Sequence, residues 1–169
     1  MSNTGGYKNL IIYQQAVVIY DLTGKFCQKH LLDFGKGMPT RRTVDQMVQA
    51  ARSGKQNIVE GSLEKSLKMN IKLTGVSRAS FGELKEDFED FLRARNLPIW
   101  DKNDPMVLQI RALRVSTNLP NEPNKSNSPN LSHWTNTPER FANLMITLIS
   151  KENYLLDQMI RSLEQKFIN

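Results

Sequence analysis

The chain has 169 residues, 39% of them hydrophobic, and a net charge of +6, which suits one domain with a substantial core. No apolar run approaches the roughly 20 residues that a membrane-spanning helix needs. A lone cysteine, Cys27, excludes an internal disulfide and a multi-cysteine zinc site, and reads as a small apolar filler of a helix face.

The opening MSNTGGYKN has neither a basic leader region nor an apolar one, so a cytoplasmic address is expected. From there Leu10, Tyr13, Val17, Tyr20, Cys27 and Leu31 recur at helical spacing, widened by Ala16 and Phe26, and predict a first helix over about 8–32. Gly35, Gly37 and Pro39 mark a loop. Thr43 or Thr40 then caps a second helix over about 43–64, whose apolar residues are Val44, Met47, Val48, Ala51, Ile58 and Val59. Its middle is made of small residues, Ala50, Ala51, Ser53 and Gly54. Glycine costs about 1 kcal/mol against alanine inside a helix, and close approach of a neighbouring helix is the physical motive for accepting that cost.

A third helix is predicted over about 67–96, with Leu73, Val76, Ser80, Leu84, Phe88 and Phe91 along one seam and Phe81 and Leu92 beside it. Asn96-Leu97-Pro98 ends it, because proline disfavours helical backbone in the residue before it. Ile99 and Trp100 follow as an apolar strap. Asp104-Pro105 reads as an N-cap and first-turn proline of a short helix through Arg114. Residues 115–137, rich in Asn, Ser and Pro, read as a linker anchored by Trp134. Thr137-Pro138-Glu139 opens a last helix over about 138–167, with a seam of Phe141, Leu144, Leu148, Leu155, Met159, Leu163 and Phe167. Four long amphipathic segments without a convincing strand predict an all-α chain. The expected architecture is a single-domain antiparallel up-down four-helix bundle with an extra short helix and a Pro/Asn-rich linker.

Charge is unevenly placed. Between residues 41 and 85, nine cations face four acids, a net of +5, after which Glu86, Asp87, Glu89 and Asp90 reverse the sign. Arg52 and Lys55 share a helix face, Lys65, Lys68 and Lys72 continue at steps of three and four, and Arg41-Arg42 precedes them. Such an array suits the phosphates of RNA or DNA, through counterion release and largely without sequence preference. An ordinary solvated surface accounts for it equally well.

The segment QMVQAARSGKQNIVEG joins small helix-packing residues to fixed polar ones. Together with YKNLIIYQQAVVIYDLTGKF, VSRASFGELKEDFEDFLRARNLPIWDK and ANLMITLISKENYLLDQMIRSLE, it resembles the four-helix-bundle proteins of the 23S ribosomal RNA intervening-sequence family, in the variant called a four-helix-bundle suffix domain. That resemblance implies an up-down bundle, often a homopentamer, with no established enzymatic activity. It also implies kinship with a protein that accompanies a retroelement reverse transcriptase and presents a basic surface to nucleic acid. Gln46, Asn57, Glu60 and Gly61 match the polar positions of the second-helix motif, and Ser80 and Glu83 those of the third. The chain departs from the family at Gln56, where a serine is usual, and in its added segment 97–137.

Asn57, Glu60, Ser80 and Glu83 admit two readings. One is a catalytic carboxylate pair. The other, which is favoured, is a helix-to-helix hydrogen-bond network that sets register. With His30 and His133 as the only histidines, no metal site is expected. No phosphate-cradling or dinucleotide glycine motif is present, so no cofactor is expected either. The leading expectation is a non-enzymatic, self-assembling bundle that binds RNA or DNA through Arg41, Arg42, Arg52, Lys55, Lys65, Lys68 and Lys72. The alternative is a scaffold that recruits another protein through Leu97, Pro98, Ile99, Trp100 and Trp134.

Overall fold

The computed structural model of the protein describes residues 6–31, 41–114 and 131–169, all helical or irregular, with no strand among them. A short 3-10 turn, Gly6–Asn9, leads into α1 (Ile11–His30). It is followed by α2 (Arg41–Leu63), α3 (Leu67–Ala94), α4 (Pro105–Ala112), α5 (Ser132–Thr135) and α6 (Pro138–Ile168). The glycine loop with Thr40, and the linker as far as residue 130, lie outside the described residues.

Local chemistry sets most of the ends. Ser66 caps α3 by accepting the Met69 N–H, Asp104 caps α4 by accepting the Met106 N–H, and Thr137 caps α6 by accepting the Arg140 N–H. Thr43 lies inside α2 and not at its start. The stop of α3 comes before Pro98: Asn96 takes a left-handed φ of 55°, so Leu97 N–H reaches Leu92 O at 2.9 Å and Asn96 N–H reaches Arg93 O. That pattern satisfies the last carbonyls of the helix.

The long helices pack in a ring, α1 on α2, α2 on α3, α3 on α6 and α6 on α1, while α4 and α5 lie against α6. Register shows α2 and α3 antiparallel: Ser53 meets Ser80, Gly54 meets Ser77 and Phe81, and Gly61 meets Asn70 and Thr74. At the core's centre, the Phe26 ring makes edge-on contacts with Phe88, Phe91 and Phe141, joining α1, α3 and α6. Each such pair adds about 0.5–1.5 kcal/mol beyond its area burial.

The buried faces follow the expected seams in part: Cys27 and Leu31, Leu84, Phe88 and Phe91, and Phe141, Leu144, Leu148 and Leu163 are buried, while other seam positions are not. On α1 the buried residues are Gln15, Ala16, Ile19, Leu22, Thr23, Phe26 and Cys27, whereas Tyr13, Val17 and Tyr20 are half-buried and Leu10 is exposed. On α3, Thr74, Ser77 and Phe81 are buried while Val76 is exposed. Helix neighbours on two sides widen a buried stripe, and hydrophobicity alone does not locate its centre.

Candidate nucleic-acid interface

The α2–α3 contact shows what the small residues do. With no β-carbon at Gly54, the Phe81 ring lies directly over that turn, and Ser77 Oγ donates to Gly54 O at 2.6 Å. Beside it, Asn57 Nδ2 donates to Ser53 O at 2.8 Å and to Ser53 Oγ, and the Ser53 and Ser80 hydroxyls share a hydrogen bond of 2.9 Å. The polar register device is therefore Ser53, Asn57, Ser77 and Ser80. Asn57 and Ser80 meet only through Ser53, a residue whose sequence pattern points to small size and not to hydrogen bonding. Glu60 and Glu83 are exposed and make no hydrogen bond or ion pair to another described residue, so the four residues are not gathered into one network. Glu60 and Glu83 do not come together as a carboxylate pair, because Glu60 adjoins Gly61, which meets Asn70 and Thr74, whereas Glu83 lies one turn beyond Ser80, which meets Ser53.

The seven cations separate into three settings. Arg41 and Arg42 begin α2 and line a groove of about 1110 Å³ between α2 and α3, shared with Gln46, Gln49, Ser53 and Ser80. Its other bank carries Glu83, Glu86 and Asp87, so the groove is dipolar and not a basic cradle. Burial, then the neighbouring Asp90, Glu83 and Glu86, pushes the Asp87 carboxyl up to about 6. Lys55 lays its ammonium over the Tyr20 ring, 4.4 Å from the centroid, tying α2 to α1. Arg52, Lys65, Lys68 and Lys72 are exposed and unpaired with other described residues. Arg41 and Gly61, near opposite ends of α2, are about 30 Å apart at 1.5 Å per residue, so the arginine pair and the hairpin lysines belong to different ends.

The strap and the described end of the linker, residues 131–137, pack against the fold. Trp134 is buried, Trp100 stands edge-on to it with ring centroids 6.5 Å apart, and Trp100 Nε1 donates to Glu139 Oε1. Asn143 of α6 locks the strap by accepting the Trp100 N–H and donating to Pro98 O. Pro98 and Ile99 are exposed, but Leu97 and Trp100 are half-buried against the core and Trp134 is buried, so the large side chains mostly fill a groove of their own chain.

Sequence reading missed the buried polar residues of α6. Glu152 is 0% exposed and neither of its oxygens has a hydrogen-bond partner among the described residues. Burial holds its carboxyl well above the ordinary value. A signal was present, because Glu152 lies four residues from both Leu148 and Leu156 and so falls on the apolar stripe. Cys27 is likewise sealed, its thiol pushed up to about 11 by burial and then by Asp87. Among the described residues no group of three or more His, Cys, Asp or Glu is arranged to hold a metal ion, and no helix is long and apolar enough to cross a membrane. No family model, curated protein or solved structure matches the chain.

Proposed function

We propose that this chain is a non-enzymatic up-down four-helix bundle that binds RNA or DNA through the exposed lysines around the α2–α3 hairpin, as an accessory to a nucleic-acid-processing system. The carrying observation is that Lys65, Lys68 and Lys72 stand exposed at one end of the hairpin without an ion pair to another described residue. An unpaired ammonium needs no protein partner broken before it meets a phosphate, and each phosphate neutralised releases condensed counterions. Arg52 extends the same surface along α2. Arg41 and Arg42 are weaker contributors, since the carboxylates across their groove repel phosphate.

The antiparallel pairing of α2 with α3 and the ring of long-helix contacts support the bundle topology. The motif resemblance to the intervening-sequence family supports self-assembly, as a pentamer or otherwise. Repeating a weak basic surface around an assembly axis would raise affinity through avidity.

The test is binding of labelled RNA and DNA across a salt series, with the triple variant Lys65→Glu, Lys68→Glu, Lys72→Glu beside the wild type. Wild-type affinity should fall steeply with salt, with a log–log slope of about 0.7–0.9 per phosphate contacted, and the variant should lose most of that slope. Binding that is absent at low salt, or unchanged by the reversal, removes the proposal. Light scattering tests assembly separately, and a strictly monomeric protein would remove the avidity component.

A further inference from the structure

We infer that the hairpin end of the molecule docks single-stranded nucleic acid through its bases as well as its phosphates, a reading that rests on the nucleic-acid function proposed above and specifies the ligand. The observation is a concentration of exposed apolar side chains. Leu10, Ile11, Leu63, Met69, Phe167 and Ile168 are all exposed, Phe167 at 59% and Ile168 at 81%, and they come from four different helices or helix ends. Register brings them to one end. Arg78 pairs with Asp157, so nine residues back along α3 stands Met69 and nine residues forward along α6 stands Lys166, next to Phe167. Lys55 lies over Tyr20, so eight residues forward along α2 stands Leu63 and eight back along α1 stands Ile12, next to Ile11.

Among the described side chains, the same end carries Lys65, Lys68, Lys72, Arg161 and Lys166 against Glu60, Glu64 and Glu164, five cations to three carboxylates. The ligand must therefore be anionic and also offer apolar faces. Duplex nucleic acid meets only the first condition, because its bases are stacked inside. A single strand meets both: its phosphates suit the lysines, and its unstacked bases can lie on Phe167, Met69 and Leu63. Phe167 is the exposed aromatic among the described residues of this end, Tyr7 and Tyr13 being half-buried and edge-on to each other, and every base has a π-face, so the preference should be for strandedness and not for sequence.

Fluorescence anisotropy with the full chain would compare three probes: a short mixed-sequence single strand, its duplex, and an abasic strand that keeps the phosphates. The expected result is that the base-bearing single strand binds at least about ten-fold tighter than the other two. Phe167→Ala should remove most of that preference while leaving the salt slope unchanged, and Phe167→Tyr should retain it. Circular dichroism would verify that both variants fold. Equal binding of all three probes overturns this inference while leaving phosphate binding by the lysines intact. No binding of any probe at low salt overturns both. If Leu63→Ser or Phe167→Ser converts an oligomer to a monomer, the apolar end is a contact between copies of the chain and the inference falls. Co-sedimentation with anionic vesicles, lost in the same variants, would assign the end to a lipid surface and overturn it equally.

Discussion

The Phe81 ring lies so close over Gly54 that a β-carbon there would stand 2.6 Å from Phe81 Cζ. Phe81 is fully buried, so the ring has no room to swing aside. This pair sets the spacing of α2 and α3, and with it the position of the cations on both helices.

Gly54→Ala should therefore destabilise the protein by about 1–3 kcal/mol through overpacking, even though alanine favours a helix by about 1 kcal/mol. Chemical denaturation would show a lower midpoint. Adding Phe81→Leu to the alanine variant should recover part of the loss, which is the non-additivity expected of residues in contact. A variant as stable as the wild type would mean that α2 and α3 separate without cost.

Ser53 and Glu60 should behave oppositely. Ser53→Ala removes the link between Asn57 and Ser80, and should cost about 0.5–1.5 kcal/mol. Glu60→Ala should stay within about 0.5 kcal/mol of the wild type, because the side chain is exposed and makes no bond to another described residue. Thermal melts of the two variants decide it. The reverse ranking would put the register device on the carboxylate.

Glu152 makes stability depend on pH with a defined sign. Its folded-state pKa is raised above the ordinary 4.5 by burial, so the native state holds the proton more tightly than the unfolded state does. Stability is fullest below 4.5 and declines as pH rises from there toward the raised folded value. Glu152→Met should remove that decline and stabilise the protein near neutrality by about 1–3 kcal/mol, since it deletes two unsatisfied buried oxygens. Denaturation midpoints measured across pH would test this. A wild type whose midpoint rises through the same window, with the methionine variant parallel to it, would show that Glu152 is not the group responsible.

Much of the fold was legible because its determinants are local. Asp104-Pro105 and Thr137-Pro138 open helices where side-chain oxygens and ring geometry dictate, and the glycine and small residues of α2 announced a close helix contact. The candidate site was less legible. Spacing places Arg52 and Lys55 on one face, yet Lys55 is drawn onto Tyr20 of another helix. Arg41 and Arg42 belong to the basic segment by sequence but to a dipolar groove in space, because antiparallel pairing brings the acidic half of α3 beside them.

By itself, the sequence determined that long amphipathic helices form, where most are capped, and which stretch of chain is basic. These follow from periodicity and from interactions within a few residues. The tertiary structure decided which face of each helix is buried, that Glu152 is sealed inside while Glu60 and Glu83 stay in water, and that exposed apolar ends collect beside the hairpin lysines. Burial and charge environment depend on the helices that cross a residue from elsewhere in the chain, and a helical repeat carries no record of those neighbours.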